Sequence, residues 1–223
     1  MGKATDQSLK PPGVLLAGGL ARRIGGGDKP LREIGGRSIL SRVIARMAPQ
    51  CDGLVLNANG DPARFTPFGL PVAADSIGGF AGPLAGILAG MDHVAARRPD
   101  AHWIMTVPAD TPFLPRDLVA RLDAGRRAQN AQIAVAASGG HVHHVVALWS
   151  MDLREDLRRA LSEEKISRVS EWIARYPLAT VEWPATPFDP FFNINAPDDL
   201  AAAERMAALD DNGTDQERPQ NLR

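Results

Sequence analysis

The sequence predicts an α/β chain, a three-layer α/β/α sandwich around a mostly parallel but mixed sheet. Three observations lead there. Short apolar runs alternate with amphipathic stretches through the first half, the pattern of right-handed βαβ units. The first run, residues 14–17, is short and uncharged, which suits the centre of a parallel sheet. Polar residues fall at the ends of these runs, on the edge where open α/β sheets bind ligands. The later strands alternate less cleanly with helices, so a mixed sheet is expected.

Each element has its own signature. Ile39, Leu40, Val43, Ile44 and Met47 mark one face of a helix. Residues 53–57 read as the second strand and 72–74 as a short third. Pro83 stands where a first helical residue belongs, ahead of Leu84, Ile87, Leu88 and Met91. Residues 103–107 form the fourth strand, and Pro115 opens a helix with Leu118, Val119 and Leu122 on its inner face. Residues 133–137 and 145–149 are later strands, followed by helical segments over 152–161 and 167–176. Residues 191–194 read as a last strand. Pro197 starts a final helix, with Asp198 and Asp199 placed to suit its dipole. A single domain over 13–209 is expected, with flexible tails at 1–12 and 210–223.

Composition narrows the class of function. The 223 residues carry 25 Lys and Arg against 26 Asp and Glu, a net charge of −1. That balance argues against general nucleic-acid or membrane-surface binding. A hydrophobic fraction of 44% supports a real core. The single Cys51 excludes an internal disulfide and any multi-cysteine metal site, and reads as a small buried residue. Residues 1–12 are polar and contain Pro11 and Pro12, unlike a secretory signal. The Met1-Gly2 start suggests myristoylation, but the sixth residue is Asp6. The uncharged run over 76–91 is broken by glycines and too short for a bilayer. A cytoplasmic protein without nucleic-acid or membrane partners is expected.

The segment from Val14 to Lys29 joins the first strand to a glycine-rich loop with Arg22, Arg23 and Lys29. Gly18 and Gly19 let the backbone turn sharply with N–H groups facing an anion, and the three cations offset its charge. This suits a polyphosphate. It is not a P-loop, since Lys29 follows Asp28 and precedes Pro30, and the dinucleotide fingerprint is also absent. The pattern Leu-Ala-Gly-Gly, Arg-x-Gly, Asp-Lys resembles the loop of nucleotidyltransferases that move a nucleoside monophosphate onto a phosphorylated acceptor.

Further polar groups reach the same rim. The first strand ends at Gly18 and Gly19, the second at Asn57, the third at Asp75, and the fourth leads to Asp110. Each aspartate taken singly is as compatible with a turn as with a site. Together, four strands delivering polar groups to one edge point to a ligand. Asp110 is placed to bind Mg²⁺, which takes one or two carboxylates plus phosphate oxygens and water. Asp75 opens a run containing Gly82-Pro-Leu-Ala-Gly86, where glycines allow close approach and a helix start favours an anion. A carboxylate at Asp75 can accept the two adjacent N–H donors of a guanine edge, a pair that cytosine and uracil lack.

With these loops aligned, residues 13–209 resemble the molybdenum cofactor guanylyltransferases. The motifs are Leu16-Ala-Gly-Gly19 with Arg23, Gly25, Gly26, Asp28 and Lys29; Asn57-Ala-Asn59; Asp75 with residues 82–86; Asp110-Thr-Pro112; and Asn193-Ile-Asn195. Ile24 and Ala21 depart from the frequent Met and Ser of the family, and both look neutral. The resemblance implies a Rossmann-like nucleotidyltransferase fold. It also implies GTP binding by Leu16, Ala17, Gly18, Gly19, Lys29, Asn57, Asp75 and Asp110, with Asp110 holding the metal. Arg23, Lys29 and Asp110 are then the catalytic set, acting by positioning and charge neutralisation rather than through a general base. His144, Asn193 and Asn195 are the candidates on the molybdopterin side. The family further implies a monomer in transient contact with molybdenum-insertion proteins and molybdoenzyme chaperones.

Other readings stay open on sequence alone. Molybdopterin cytidylyl transfer or sugar-phosphate nucleotidyl transfer would use the same phosphate chemistry. A GTP-binding molybdopterin carrier without turnover would need the binding residues but not the metal-poised set. His141, His143 and His144 suggest a metal cluster, with His141 and His143 on one strand face and His144 on the other. Paired histidines on an exposed strand are more often solvated than ligating. Asn193 and Asn195 are also placed to cap the helix at Pro197, and Arg168 reads as a surface arginine.

Overall fold

The uncharged first run becomes the middle of a seven-stranded sheet. The computed structural model describes residues 10–18, 29–78, 82–195 and 197–216. Strand β1 (Gly13–Leu16) pairs in parallel with later strands on both sides, which is why it tolerates no charge. A small antiparallel hairpin follows, β2 (Glu33–Ile34) and β3 (Arg37–Ser38). Next come helix α1 (Ile39–Met47), strands β4 (Leu54–Asn57) and β5 (Val72–Ala73), and helix α2 (Pro83–Arg97). The second half runs β6 (Trp103–Pro108), α3 (Leu118–Gln129), β7 (Ile133–Ser138), β8 (His141–Ser150), α4 (Arg154–Ser162), α5 (Val169–Ile173), β9 (Leu178–Trp183) and α6 (Pro197–Gln216). The sheet order is β5-β4-β1-β6-β8-β7-β9, and within it β8 alone runs against the others.

Period-2 alternation divides the core into two layers. Leu15, Leu56, Met105 and Leu148 face Leu40, Val43 and Met47 of α1 and Leu118, Val119 and Leu122 of α3. Val14, Val55, Ile104 and Trp149 face α2, α4 and α5. The expected three-layer sandwich is therefore present. A smaller cluster packs Ala203 and Ala207 of α6 against Ile34, Ile39, Phe113 and Ile194. Cys51 is buried, and burial pushes its thiol up to about 12, so it packs rather than reacts.

Caps explain where helices begin. Ser38 Oγ accepts the Ser41 amide at 3.1 Å and starts α1. The helix expected to open at Pro115 starts at Leu118, and Gln50 caps its entry from outside. Gln50 Oε1 accepts the Val119 N–H at 3.0 Å, and Gln50 Nε2 donates to the Pro115 carbonyl at 2.9 Å.

Other expectations need correction. Residues 191–194 form no strand; Phe191 and Ile194 are buried, but Phe191 N–H donates to Asp189 Oδ1 and Ile194 N–H to the Asp110 carbonyl instead of to a ladder. Strand β9, not foreseen, pairs with β7 along its length. The segment over 152–161 is a 3₁₀ turn followed by α4, and only Val169–Ile173 of the segment over 167–176 is helical. Helix α6 runs past 209 to Gln216, and Asp210 pairs with Arg46 of α1.

Candidate functional site

The register brings the polar strand ends to one rim. Leu16 lies opposite both Asn57 and Pro108, and Asn57 lies opposite Ala73. Two more backbone bonds extend the ladder past the strands, Ala17 N–H to Asn57 O at 2.8 Å and Ala109 N–H to Leu16 O at 2.9 Å. Gly18, Asn57, Asp75 and Asp110 thus leave the sheet at the same carboxyl edge. Gly19 and Arg23 lie outside the described residues.

One end of the rim is a network around Asp75. Buried Asn57 donates through Nδ2 to Ala73 O at 3.1 Å and to Asp75 Oδ1 at 2.9 Å. Asn59 Nδ2 donates to Asp75 Oδ2 at 2.8 Å, and Asn59 Oδ1 accepts the Asp75 amide at 2.9 Å. The carboxylate is clamped by two side-chain amides, yet each oxygen keeps a second lone pair for a ligand N–H. Asn59 enters the site here as a positioning residue; the Asn57-Ala-Asn59 motif was its sequence signal. The Gly18 backbone does not adopt the left-handed conformation expected of a sharp glycine turn. A β-carbon there would meet Asn57 Oδ1 at an ordinary 3.5 Å, so the missing side chain keeps the rim open.

The other end is built on Lys29, from a short 3₁₀ turn at Lys29–Leu31. Its Nζ donates to Asp110 Oδ2 at 2.6 Å, Asn195 Oδ1 at 2.7 Å and Asn193 Oδ1 at 3.1 Å. These three acceptors match the three protons of an ammonium. Lys29, Asp110, Asn193 and Asn195 are therefore one cluster, although more than 160 residues separate Lys29 from the asparagines. Burial raises the Asp110 carboxyl above its ordinary value, against the charge and hydrogen bond of Lys29. Asp110 Oδ1 is buried without a hydrogen-bond partner. A buried, unshared carboxylate oxygen fits a divalent cation. Among the described residues no three His, Cys, Asp or Glu side chains converge on a metal. The protein would then supply one carboxylate, and phosphate oxygens and water the rest.

The histidines of β8 differ in their contacts. Opposite β7, the pairing of β8 jumps from Ala147 to His143, so His144, Val145 and Val146 bulge out of the ladder. The His144 side chain makes no hydrogen bond among the described residues. His143 is the engaged one, with Nε2 at 2.7 Å from Ser138 Oγ and its ring against Phe191 at 4.7 Å. No helix among the described residues is long and apolar enough to cross a membrane.

Comparison with known proteins gives the family and the fold. Residues 13–179 match the family model of the MobA-like NTP transferase domain. A molybdenum cofactor guanylyltransferase of Rhodopseudomonas palustris (strain BisB5) is 65% identical over 199 residues, 89% of this chain and 95% of that one. Among solved structures, molybdopterin-guanine dinucleotide biosynthesis protein A of Archaeoglobus fulgidus shares the fold with a TM-score of 0.67 and 23% identity, over 89% of this chain and 99% of that one. A Mycobacterium tuberculosis H37Rv protein solved in complex with manganese also shares the fold, with a TM-score of 0.64 and 18% identity over 88% of this chain and 99% of that one. On the match over residues 13–179 and the identity over most of both chains, the chain belongs to the molybdenum cofactor guanylyltransferase family.

Proposed function

We propose that this rim transfers GMP from GTP to molybdenum-bearing molybdopterin, giving the guanine dinucleotide form of the cofactor and pyrophosphate. The observation that carries the residue assignment is Asp110. One of its oxygens is held by Lys29, and the other is buried without a hydrogen-bond partner.

The terminal phosphate of the acceptor attacks the α-phosphorus of GTP. A new P–O bond forms, and the bond to the β-phosphate bridging oxygen breaks with its electron pair leaving on pyrophosphate. The nucleophile is already ionised, so no base is required. Asp75, clamped by Asn57 and Asn59, accepts the guanine N–H pair and selects the base. The unhindered backbone at Leu16, Ala17 and Gly18 lets the phosphates approach. Lys29 places one positive charge at the reaction centre, oriented by Asn193 and Asn195, and Arg23 joins it in offsetting charge on the departing pyrophosphate. Asp110 Oδ1 would hold the divalent cation, Mg²⁺, which supplies Lewis-acid polarisation of phosphate oxygens. We read the enzyme as a cytoplasmic monomer that meets molybdenum-insertion proteins and molybdoenzyme chaperones transiently, a reading supported by the family's biosynthetic role.

The test is pyrophosphate release from GTP, with CTP in parallel, in the presence of Mg²⁺ and molybdenum-loaded molybdopterin. Release that depends on both GTP and the acceptor is expected. Equal turnover with CTP would remove base selection from Asp75, and GTP binding without release would replace the transferase with a carrier.

A further inference from the structure

A second polar constellation lies beyond the reaction centre along the same rim. β8 follows β6 in the sheet and runs antiparallel to it, with Thr106 opposite Ala147. The start of β8 therefore lies alongside the segment that carries Asp110, on the side away from β1, β4 and the Asp75 network. There Ser138, fully buried at the end of β7, bonds two partners. Its Oγ is 2.7 Å from His143 Nε2 and donates to Asp189 Oδ1 at 2.7 Å. The loop over 189–195 ties this group to the chemistry. Asp189 also accepts the Phe191 amide at 2.9 Å, Phe191 packs on the His143 ring, and Asn193 and Asn195 hold Lys29.

The proton count fixes the imidazole. A serine hydroxyl has one hydrogen, and an ionised carboxylate can only accept, so that hydrogen goes to Asp189. Ser138 Oγ must then accept from His143, which places a proton on Nε2. Burial pushes His143 below its ordinary value; Asp189 and Glu182 act in the opposite sense, while His141 and His144 add to the lowering. The ring is thus neutral near pH 7. Nδ1, which has no hydrogen-bond partner among the described residues, carries a lone pair. A phosphate oxygen cannot satisfy a lone pair, whereas a heterocyclic N–H can.

Resting on the transferase reading above, we infer that His143, rather than its neighbour His144, recognises the acceptor, taking an N–H of its pterin ring system at Nδ1. Ser138 and Asp189 are positioning residues that hold the imidazole as the Nε2–H tautomer. The rim then has three sections in strand order: base selection at β4 and β5, phosphoryl chemistry at β1 and β6, and recognition of the acceptor heterocycle at β8 and β7.

The test uses the full chain, with His143→Phe to keep the packing on Phe191 and Ser138→Ala to free the ring. Acceptor KM should rise about tenfold in H143F, as for the loss of one hydrogen bond to the acceptor, with GTP affinity unchanged and a cooperative thermal melt retained. S138A should shift acceptor KM in the same direction by less. Nitrogen-15 NMR of the histidines supplies a readout that a purely structural ring would not move. Wild-type His143 should show a protonated Nε2 and a bare Nδ1, with the Nδ1 resonance moving on addition of molybdopterin and not of GTP. An unchanged acceptor KM in folded H143F, or a proton on Nδ1, overturns the inference alone. GTP affinity falling in step with acceptor affinity would make the ring part of the framework and also overturn it. A wild-type chain that turns over no molybdopterin removes the transferase reading and this inference with it.

Discussion

Gly86 lies so close to Asn57 that a β-carbon on it would sit 2.3 Å from Asn57 Oδ1. Helix α2 can approach the rim only because that side chain is absent. Asn57 in turn donates to Asp75 at 2.9 Å, so the packing of a helix sets the direction of a carboxylate. Gly86→Ala should push Asn57 aside and loosen Asp75. We expect a stability loss of about 1–3 kcal/mol, as for other overpacked sites. GTP KM should rise more than acceptor KM. Thermal melts and paired titrations of the two substrates check both effects; a melt shift with unchanged GTP KM would leave Asn57 a packing residue only.

Asp75→Asn tests base selection directly. An amide at this position keeps one acceptor oxygen but turns the other group into a donor. That NH₂ faces the donating amide of either Asn57 or Asn59 and cannot receive a guanine N–H. GTP preference over ATP and CTP should fall by about tenfold or more, since a buried donor is left unpaired. The ratio of kcat/KM values for the three nucleotides is the measurement. An unaltered ratio places base selection elsewhere.

Much of this rim was legible in the sequence. Parallel strands joined by helices all end on one edge, so polar residues at the ends of the runs at 14–17, 53–57, 72–74 and 103–107 had to converge. Asn193 and Asn195 were legible only through the family resemblance, because nothing in local spacing brings residues more than 160 positions away onto Lys29. Apolar periodicity reports burial and not pairing, which is why the buried loop at 191–194 read as a strand. Strand β9 does alternate, with Ala179 and Trp183 buried and Thr180 and Glu182 exposed, but small and charged residues weaken that signal. The different contacts of His143 and His144 were not legible for another reason. The tight Gly139-Gly140 turn sets Ser138 opposite His141, which brings His143 diagonally near Ser138, and a bulge then displaces His144.

Lys29 satisfies three acceptors with one ammonium, and its replacement should separate charge from geometry. Lys29→Ala removes the only donor to Asp110 Oδ2 among the hydrogen bonds seen there. Turnover at saturating GTP should fall about 10²–10³-fold, by comparison with the loss of one transition-state donor elsewhere. Lys29→Arg should recover little of this, because a planar fork cannot reach three acceptors gathered around a single point. Steady-state pyrophosphate release checks both variants. Wild-type rates in either would move the essential charge to another residue.

Asp156 gives the fold a pH dependence distant from the rim. It sits in the first turn of α4, where Trp172 Nε1 of α5 donates to its Oδ2 at 3.1 Å and Tyr176 donates its hydroxyl to the same oxygen. Burial works to raise its carboxyl, but those two bonds and the charges of Arg159 and Arg175 outweigh it, leaving it below the ordinary 3.8. The Tyr176 hydroxyl is correspondingly held up, to about 12, by burial and by this carboxylate. A depressed carboxylate adds stability above its unfolded pKa and loses it as pH falls through the folded one. Asp156→Asn should therefore melt below wild type at neutral pH, by an amount that stays constant down to the ordinary aspartate range. The two curves should converge on further acidification, as the wild-type carboxylate takes up its proton. Circular-dichroism melts across that range decide the matter. A deficit that persists in acid would mean that Asp156 acts through the shape of the Trp172 pocket and not through its charge.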